Sequence, residues 1–434
     1  MAKQKVEAIS GGQRLLYSYV FMPLMHLFFF ITSFVNKKTR RGFRGRKNLF
    51  AELDNKLSKV PEGNRIWFHA SSFGEFEQAK PIIEILKQAG YRIIVSLFSP
   101  SGFDYSRNYQ NADVVTYIPL DSPPNAAKFV SLVKPCVVVV MRYDLWLNHL
   151  IAAKEFGAKV VIADATFPVK LLQRADFLKN FFRKLYGLSD LILTTTSEHK
   201  KLFDFFLGTE KSTVVGDTRF DRVFSRRAGN KISEKIPFVI DNGKRTVVVL
   251  GSTWRQDTDV LAPGLNRLSK KFSSLTVLVV PHEPTSEEVG RLREQFPTAR
   301  VMSEIGAGER EFSFLIVDRV GILSQLYVLG DVAYVGGGFG AGVHNVLEPA
   351  VYGLPIITGP RIDRSDEAIH LLQTGGLFFV KDAAAAYRVL YGMIENSLAR
   401  KKAGDIAKAY VDQHLGASNA VATRVRELCD GTLL

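Results

Sequence analysis

Short apolar runs alternate with longer stretches of helical periodicity along most of the chain after residue 60. Many of the short runs are β-branched and apolar throughout, which is typical of parallel strands that are covered on both faces. The longer stretches, such as 77–88 and 198–207, predict helices. The first series of short runs predicts strands at 65–69, 92–98, 114–118, 136–141, 159–163, 191–194 and 213–215.

A polar, charged stretch at 225–244 interrupts this alternation and predicts a linker between two domains. Strand–helix alternation in two blocks is typical of doubly wound α/β domains, whose ligands bind at the carboxyl ends of the strands. We therefore predict two Rossmann-like domains that face a cleft, the first at 49–225 and the second at 226–434. The second series of strands is predicted at 246–250, 275–280, 314–317, 332–335, 355–357 and 377–380.

An apolar run at 15–34 precedes the first domain and carries no formal charge. About 20 such residues in a helix are enough to cross a hydrocarbon core of about 30 Å. A cleaved signal peptide usually has a shorter apolar core, of about 7–15 residues, and a small-residue cleavage site after it. We predict a membrane-anchor helix within residues 1–48, and a helix buried in the protein core is the alternative.

The basic residues of the 434-residue chain crowd the stretch after this apolar run. Lys and Arg number 57 and Asp and Glu 43, which gives a formal net charge of +14 with neutral His. By the positive-inside rule the crowding places the bulk of the chain in the cytoplasm, and it predicts contact with anionic membrane lipids. No zinc-finger spacing or RNA-binding aromatic signature accompanies the cluster, so we predict no nucleic-acid partner. This basic collar consists of Lys37, Lys38, Arg40, Arg41, Arg44, Arg46 and Lys47.

Composition narrows the class of protein further. An apolar fraction of 46% with 23% charged residues is ordinary for a globular protein and excludes disorder as the main state. The two cysteines, Cys136 and Cys429, have unrelated surroundings, so we predict neither a disulfide framework nor a cysteine zinc site. Their scarcity favours a reducing compartment. No HExxH or comparable spacing occurs, and we expect an enzyme without a metal or another cofactor.

The segment HASSFGE, directly after the first predicted strand, contains a candidate base. Glu75 is predicted to lie at the start of a helix, where the helix dipole stabilises an ionised carboxylate. Such a carboxylate is able to take a proton from an attacking hydroxyl. The alternative is purely structural, in which Glu75 favours the helix N-terminus and Ser72 caps it.

Two further charged residues follow strands of the first domain. Asp144 comes after strand 136–141 and is either a functional carboxylate or the cap of the next helix. Arg219 lies in GDTRFDRV, and its guanidinium is suited to bidentate contact with a phosphate. Pairing of Arg219 with Asp217 or Asp221 is the structural alternative.

The segment GGGFGAGVHNVLEP at 336–349 is the densest cluster. Five glycines within seven positions leave backbone N–H groups unshielded ahead of a predicted helix, which is typical of an anion site. The spacing is neither a P-loop nor a GxGxxG fingerprint. Asn345 and Glu348 are spaced as a capping box, and Glu348 is alternatively an acceptor for ribose hydroxyls. GSTW at 251–254 and PHEP at 281–284 are predicted to complete a nucleotide pocket.

Together these segments resemble the 3-deoxy-D-manno-octulosonic acid (Kdo) transferase family, which has the two-domain GT-B glycosyltransferase fold. HASSFGE is similar to the family's HA-x-S-x-G-E, and GDTRFDRV, GSTW, PHEP and GGGFGAGVHNVLEPAVYGLP follow in the family's order. The resemblance implies transfer of Kdo from CMP-Kdo to lipid A precursor, an acylated and phosphorylated glucosamine disaccharide. It also implies work at the cytoplasmic face of the bacterial inner membrane, with the acceptor on the first domain and the donor on the second.

The resemblance implies roles for individual residues. Glu75 matches the base that deprotonates the acceptor hydroxyl, and Asp144 and Arg219 match positions that support the transition state. Glu367 matches an acidic residue after a Gly-Pro turn. The other matched positions, which hold CMP and the donor, are Ser252, Pro281, His282, Val320, Gly321, Ile322, Gly337, Gly338, His344, Asn345, Val346, Leu347 and Glu348.

One segment departs from the family pattern. Where many members have E-T-E-L-W-P-N, this chain has RYDLWLN at 142–148, so that Arg142 replaces the first acid and Asp144 is the carboxylate left. Two other functions stay open at this point. One is a GT-B transferase that uses a UDP-sugar and a lipid-linked acceptor, and the other is a non-catalytic, membrane-anchored protein that binds a nucleotide.

Overall fold

The computed structural model describes residues 9–229, 236–240, 244–306, 308–310 and 312–432. The chain divides into two units. The first unit comprises Met1–Arg222 and Leu415–Leu434, and the second comprises Val223–His414. Each unit is built around one parallel sheet with helices between its strands.

The sheet of the first unit has seven parallel strands in the order β3-β2-β1-β4-β5-β6-β7. Val137–Met141, with the sequence VVVVM, is buried at every position, as expected for a strand covered on both faces. The strand order reverses between β1 and β4, which creates a switch point where open α/β sheets bind ligands. The strands are β1 Arg65–Ala70, β2 Arg92–Leu97, β3 Val114–Tyr117, β4 Val137–Met141, β5 Lys159–Ala165, β6 Leu191–Thr194 and β7 Ser212–Val214.

The sheet of the second unit also has seven parallel strands, in the order β10-β11-β9-β8-β12-β13-β14. Its switch point lies between β8 and β12. β10 is a strand that the apolar pattern did not predict, because only one of its three residues is buried. The strands are β8 Thr246–Thr253, β9 Leu275–Pro281, β10 Ala299–Val301, β11 Phe314–Ile316, β12 Val332–Val335, β13 Ile356–Thr358 and β14 Leu377–Phe379.

Helices flank both sheets, and several begin at a side-chain cap that the sequence supplies. Ser72, Ser99 and Thr196, for example, each accept a hydrogen bond from a backbone N–H in the first turn. Beyond the N-terminal segment, the helices up to the end of the first series of strands are α4 Leu49–Leu57, α5 Phe73–Gln88, α6 Pro100–Ser106, α7 Pro123–Val133, α8 Leu147–Phe156, α9 Asp176–Gly187, α10 Ser197–Leu207 and α11 Thr218–Gly229, with a 3₁₀ turn at Val169–Gln173.

The helices of the second half follow the same alternation until the last strand, after which three helices end the chain. They are α12 Arg255–Lys271, α13 Ser286–Gln295, α14 Leu323–Leu326, α15 Leu347–Ala350, α16 Asp366–Thr374, α17 Ala383–Glu395, α18 Ser397–Gln413 and α19 Ala417–Cys429, with 3₁₀ turns at Met302–Glu304 and Tyr327–Leu329.

The division of the chain differs from the predicted one at its C-terminal end. Residues 415–434, predicted as the end of the second domain, belong to the first unit, where α19 packs its apolar face into the core beside α5. Helix α11 runs through the predicted boundary at 225/226. Of the predicted linker at 225–244, residues 230–235 and 241–243 lie outside the described residues.

The return of the C-terminal helix to the first unit also brings the two cysteines together. Cys136 and Cys429 are joined by a disulfide across 293 positions of sequence, because α19 returns to the amino end of β4. A single bridge is not a disulfide framework. However, the two cysteines are paired, and their number no longer favours a reducing compartment.

The predicted apolar run at 15–34 lies within a continuous helical segment, Gly11–Val35. This segment consists of α1 Gly11–Leu16, a π-helical turn Tyr17–Phe21 and α2 Met22–Val35, and the basic helix α3 Lys37–Arg44 follows it. Its most apolar 18-residue window has a mean hydropathy of 1.7, and only 11% of that window is buried. The length and composition are compatible with a membrane anchor, and the exposure rules out the alternative of a helix buried in the core.

Candidate active site

Glu75 lies at the carboxyl end of β1, in the first turn of α5. Ser72 caps this helix, since its Oγ accepts a hydrogen bond from the N–H of Glu75 at 3.3 Å. The Glu75 carboxylate turns back toward the strand, where its Oε2 accepts from the Ser71 N–H at 2.6 Å and the Ser71 hydroxyl at 2.8 Å. Glu75 is 7% exposed. The carboxylate is therefore held at the switch point of the first sheet with most of its surface shielded from water.

Asp144 lies on the neighbouring strand end, after β4, and it does not cap a helix. The next helix, α8, begins at Leu147, and its N-cap residue Trp146 makes no side-chain cap bond. Instead, Asp144 Oδ2 accepts hydrogen bonds from His69 Nε2 at 3.0 Å and from Trp146 Nε1 at 3.1 Å. The capping interpretation of Asp144 is wrong, because two ring N–H groups use the carboxylate.

His69, on β1, connects Asp144 to a buried polar chain. Its Nδ1 is 2.9 Å from Ser96 Oγ, which in turn accepts from the indole N–H of Trp67 at 2.8 Å. An ionised carboxylate only accepts hydrogen bonds, so the proton that His69 shares with Asp144 is on Nε2. These hydrogen bonds fix the imidazole and the carboxylate relative to β1, the strand that precedes Glu75. His69 is the first residue of the HASSFGE segment, but no role was predicted for it from the sequence.

Arg219 is paired within its own segment. Its N–H donates to Asp217 Oδ1 at 2.8 Å, and its Nε and Nη2 donate to Asp217 Oδ2 at 2.8 and 2.5 Å. Of the two predicted structural partners, Asp217 is thus the one that Arg219 contacts. Asp221 instead accepts from the N–H groups of Gly416 and Ser418, at the start of α19. The Arg219 side chain is 37% exposed, so the pair stays reachable from solvent.

Asp164 is a titratable residue that the sequence analysis missed. It lies in β5 and is fully buried, with a positive φ of 53°. Its carboxylate accepts from the Thr218 N–H at 3.1 Å and from the Thr218 hydroxyl. Burial, together with the neighbouring carboxylate of Asp217, raises the pKa of Asp164 to about 7. A carboxylate directly after the apolar run VVIA of β5 was the signal available.

This raised pKa makes the stability of the chain pH-dependent. The folded state holds the Asp164 proton more tightly than the unfolded state, so the stabilisation is full below about pH 4 and is lost as the pH rises through about 7. We expect the free energy of unfolding to fall, relative to that of Asp164→Asn, by up to about 1.4 kcal/mol per pH unit between pH 5 and pH 7. Urea unfolding of both proteins at pH 5, 6, 7 and 8 measures the difference. A difference that does not change with pH would contradict the assignment, and Asp259→Asn on an exposed helix face is the control.

The second unit has a cavity of about 190 Å³ at its own switch point. It lies where β8 and β12 end side by side, and four of the predicted donor residues meet there. Gly251 belongs to the GSTW segment that was predicted to complete the pocket, whereas Leu323, Tyr327 and Val335 were not predicted. Tyr327 is fully buried, and its hydroxyl occupies the space that a side chain at Gly251 would need. The lining residues are Gly251, Ser252, Leu323, Tyr327, Val335, His344, Asn345 and Glu348.

Three aromatic rings stack beside this cavity. The His282 ring centroid is 4.5 Å from that of Trp254 and 4.8 Å from that of His344, with the two imidazoles nearly parallel, and the Trp254 and His344 centroids are 6.3 Å apart. Burial, together with repulsion from His282, lowers the pKa of His344 below its usual range. The neutral His344 Nε2 then accepts the indole N–H of Trp254 at 2.8 Å. Trp254 is part of the GSTW segment, which was predicted to complete a nucleotide pocket, but this residue was not itself predicted as a site residue.

The glycine segment differs from its prediction. The amide of Gly337 donates to the buried carboxylate of Asp257 at 3.0 Å, that of Gly336 donates to Gly251 O, and those of Gly340 and Gly342 donate to Gly337 O. Helix α15, which follows, is a single turn of four residues. The predicted anion site of unshielded amides before a helix is therefore wrong for these positions.

Close packing explains the glycines at 336 and 338. A Cβ at Gly336 would overlap the carbonyl group of Ser252, and a Cβ at Gly338 would overlap the backbone of Gly359. Because the loop runs this close to the ends of two neighbouring strands, only glycine fits at both positions. Gly337 also has a φ of 93°, which favours glycine.

Asn345 and Glu348 do not form the predicted capping box. Asn345 Oδ1 accepts from the Leu347 N–H at 3.1 Å, while Val346, the N-cap residue, makes no side-chain bond. Glu348 Oε1 forms an ion pair with Arg226 Nη1 at 3.2 Å. Glu348 thus reaches the cavity from the first turn of α15, as predicted, but its partner is a basic side chain of α11.

The remaining predicted donor residues lie in four places. Pro281 ends β9, and the His282 N–H donates to Thr253 O. Val320 is exposed and Gly321 has a φ of 84°, whereas the Ile322 side chain packs in the core. Val346 and Leu347 are buried beside the cavity residues of the same loop. The Glu367 carboxylate accepts from the Ser365 hydroxyl at the start of α16, beyond β13.

Metal-binding side chains do not cluster in the part of the chain that the structure describes. Among those residues, no group of three or more His, Cys, Asp or Glu is placed to hold an ion.

Comparison with known proteins gives consistent matches. A family model described as 3-deoxy-D-manno-octulosonic-acid transferase (kdotransferase) matches residues 39–222. The 3-deoxy-D-manno-octulosonic acid transferase of Chlamydophila psittaci is 29% identical over 381 residues, which cover 85% of this chain and 86% of that protein. The enzyme of the same name from Aquifex aeolicus is 27% identical over 317 residues, with coverage of 72% and 81%.

The fold is shared more widely than the sequence. The crystal structure of UDP-GlcNAc 2-epimerase from Neisseria meningitidis, bound to UDP-GlcNAc, aligns with a TM-score of 0.60 at 15% identity and covers 84% of this chain and 99% of that one. Two doubly wound parallel sheets are the architecture of the GT-B fold, and the matches to Kdo transferases support a glycosyltransferase. Over most of its length the chain is similar in sequence to the Kdo transferases.

Proposed function

We propose that this chain transfers Kdo from CMP-Kdo to a lipid A precursor of the lipid IVA type, at the cytoplasmic face of the bacterial inner membrane. Glu75 carries the proposal, because it is a nearly buried carboxylate fixed by Ser71 at the switch point of the first unit. That position suits a general base, which must meet the acceptor hydroxyl in a defined geometry.

The reaction needs one proton acceptor and one stabilised leaving group. The acceptor hydroxyl oxygen forms a bond to the anomeric carbon of Kdo, and its proton passes to the Glu75 carboxylate. The bond between that carbon and the phosphate oxygen breaks, and CMP leaves with the electron pair. Arg219, 37% exposed and held in place by Asp217, is proposed to stabilise the phosphate charge, and Asp144 is proposed to support the transition state through His69.

The donor is proposed to bind at the switch point of the second unit. The cavity of about 190 Å³ holds Ser252, His344, Asn345 and Glu348, and the stacked rings of Trp254, His282 and His344 lie beside it. A cytosine ring stacks on flat aromatic surfaces, and ribose hydroxyls donate hydrogen bonds to side-chain acceptors. Gly337 and Gly338 are proposed to shape this site, with Pro281, Val320, Gly321, Ile322, Val346, Leu347 and Glu367 as further donor contacts.

The acceptor is proposed to bind near the N-terminal helices of the first unit. A cavity of about 250 Å³ lies between α2, α3 and the end of β2, which pairs with β1, the strand that precedes Glu75. Phe29, Phe43, Phe98, Pro100 and Leu120 supply an apolar lining, and Lys38 adds a positive charge. A phosphorylated, acylated disaccharide offers the complementary groups, since it carries fatty chains and negative charges together.

The test is a transfer assay with the full chain in detergent. CMP-Kdo and a set of UDP-sugars are offered separately with a tetra-acylated lipid A precursor, and products are identified by mass spectrometry. We expect Kdo to be added from CMP-Kdo alone. Transfer only from UDP-sugars would support the other GT-B transferase, and CMP binding without turnover would support a non-catalytic nucleotide-binding protein.

A further inference from the structure

The helical segment Gly11–Val35 is amphipathic, with its polar side toward the protein and its apolar side facing outward. Its polar side chains face the first unit, among them Gln13, Arg14, Ser18 and Ser33, which are buried or partly buried. Its opposite side is apolar and exposed, with each residue at least 48% accessible. This outer apolar face consists of Leu16, Tyr19, Val20, Leu24, Leu27, Phe28, Ile31 and Val35.

The amino-terminal half of the segment is bonded to the first unit by polar groups. Tyr17 donates its hydroxyl to Asp121 Oδ2 at 2.8 Å, and Ser18 donates to Asn148 Oδ1 at 2.8 Å in a buried contact. Arg14 pairs with Glu155 at 3.2 Å. Buried hydrogen bonds of this kind are costly to break, so this half of the helix is a fixed part of the unit.

The carboxyl-terminal half is attached as well. Met22 is 1% exposed, the Phe29 ring lies 6.1 Å from that of Phe98, and Arg40 Nε donates to Ser33 O at 2.9 Å. Contacts with the unit thus extend from Arg14 to Phe29, which at a rise of about 1.5 Å per residue is more than 20 Å of helix.

A helix seated in this way is incompatible with crossing a bilayer. A spanning orientation would carry Glu155, whose side chain is 62% exposed, and the polar surface around it into the hydrocarbon layer, where charged groups are strongly disfavoured. A spanning helix is also surrounded by lipid on all sides, whereas the inner side of this one is occupied by the first unit, to which Tyr17 and Ser18 are hydrogen-bonded. Both objections disappear when the helix lies parallel to the membrane surface.

We propose that Gly11–Val35 lies in the plane of the membrane, with its outer apolar face among the acyl chains of one leaflet and both of its ends on the same side. The proposal rests on the membrane attachment in the proposed function. The basic collar supports it, because Lys37, Lys38, Arg44 and Lys47 are exposed directly after the apolar segment and suit anionic headgroups.

Topology is tested with tags at both ends of the full chain, one ahead of Met1 and one after Leu434. In inverted inner-membrane vesicles treated with protease, we expect both tags to be digested. Protection of the amino-terminal tag alone would show a spanning helix and overturn the proposal. Recovery of the chain in the soluble fraction after lysis would overturn it too.

Depth is tested by spectroscopy on the outer apolar face. A fluorophore is attached in turn to Leu16→Cys, Leu24→Cys and Ile31→Cys, in a Cys136→Ser, Cys429→Ser background with unchanged melting temperature. With vesicles of brominated phosphatidylethanolamine and phosphatidylglycerol, we expect strong quenching at one shared depth. A deep centre between two shallow ends would indicate a span. Absence of quenching would show that a second copy or another protein covers the face, and either result contradicts the proposal.

The attachment itself is tested by charge. Leu24→Glu with Leu27→Glu should lower the vesicle-bound fraction about tenfold without changing the melting temperature, since neither side chain packs in the fold. Leu398→Glu, on an exposed site of α18, is the matched control and should bind as the parent does. Kdo transfer to a detergent-dispersed acceptor is measured in parallel, because failed transfer with both tags digested would refute the proposed function alone.

Discussion

The substitution Glu75→Gln is expected to lower the rate of Kdo transfer by a factor of about 10²–10⁴, which is the usual contribution of a positioned general base. Glutamine keeps the oxygen that accepts from the Ser71 N–H and hydroxyl, so the fold around the end of β1 should be preserved. What is lost is the basic oxygen to which we assign the acceptor proton. The loss should therefore appear in kcat, with little change in KM for CMP-Kdo.

The control variant carries the same chemical change at an exposed residue outside the proposed site. Glu52→Gln, on the exposed side of α4, should transfer Kdo at the parent rate. Melting temperature and CMP binding are measured for both variants. Transfer by Glu75→Gln within threefold of the parent would leave Glu75 with only the structural role of a residue in the first turn of α5.

The sequence predicted the fold well where apolar runs are long and buried. Runs such as 332–335 and 191–194 coincide with β12 and β6, because strands covered on both faces leave a continuous apolar signal. β10 was not predicted, because only one residue of Ala299–Val301 is buried and the apolar signal is therefore weak. Its pairing with β11 depends on the tertiary fold, which the local sequence does not show. The return of 415–434 to the first unit is also tertiary, as no local pattern says which sheet a terminal helix will cover.

The positions of the candidate site residues in the fold were predicted more accurately than their hydrogen-bond partners. Glu75, Asp144 and the glycine segment all follow strands at the two switch points, which strand order alone explains. Their partners were missed, because His69 reaches Asp144 across neighbouring strands and Asp257 reaches Gly337 from another helix. The glycines were interpreted as an anion site because a sequence does not show what lies beside a backbone.

The paired carboxylate of Asp257 should matter as much for the donor site as Glu75 does for the chemistry. It is fully buried in the first turn of α12 and accepts three hydrogen bonds. The donors are the Gly337 N–H at 3.0 Å, the Tyr334 hydroxyl at 2.7 Å and the Trp254 N–H at 2.8 Å. One side chain thus fixes the glycine loop, a core strand and the residue that begins the aromatic stack.

Removal of this carboxylate in Asp257→Ala leaves those donors without their acceptor. Each buried group left unpaired costs about 1–3 kcal/mol, so we expect the free energy of unfolding to fall by about 3 kcal/mol or more. Because Trp254 and the glycine loop border the donor cavity, KM for CMP-Kdo should rise at least about tenfold in protein that remains folded at low temperature. Calorimetric melting and donor kinetics at 10 °C measure the two effects.

Asp259→Ala is the matched control for this substitution, since it removes a carboxylate two residues further along α12. The Asp259 side chain is 51% exposed, and its ion pair with Arg291 lies at the surface, where such pairs contribute little. We expect its melting temperature and donor KM to stay near those of the parent. If Asp257→Ala behaves like Asp259→Ala, the glycine loop keeps its shape without the carboxylate, and the close backbone packing at Gly336 and Gly338 is sufficient to form the donor cavity.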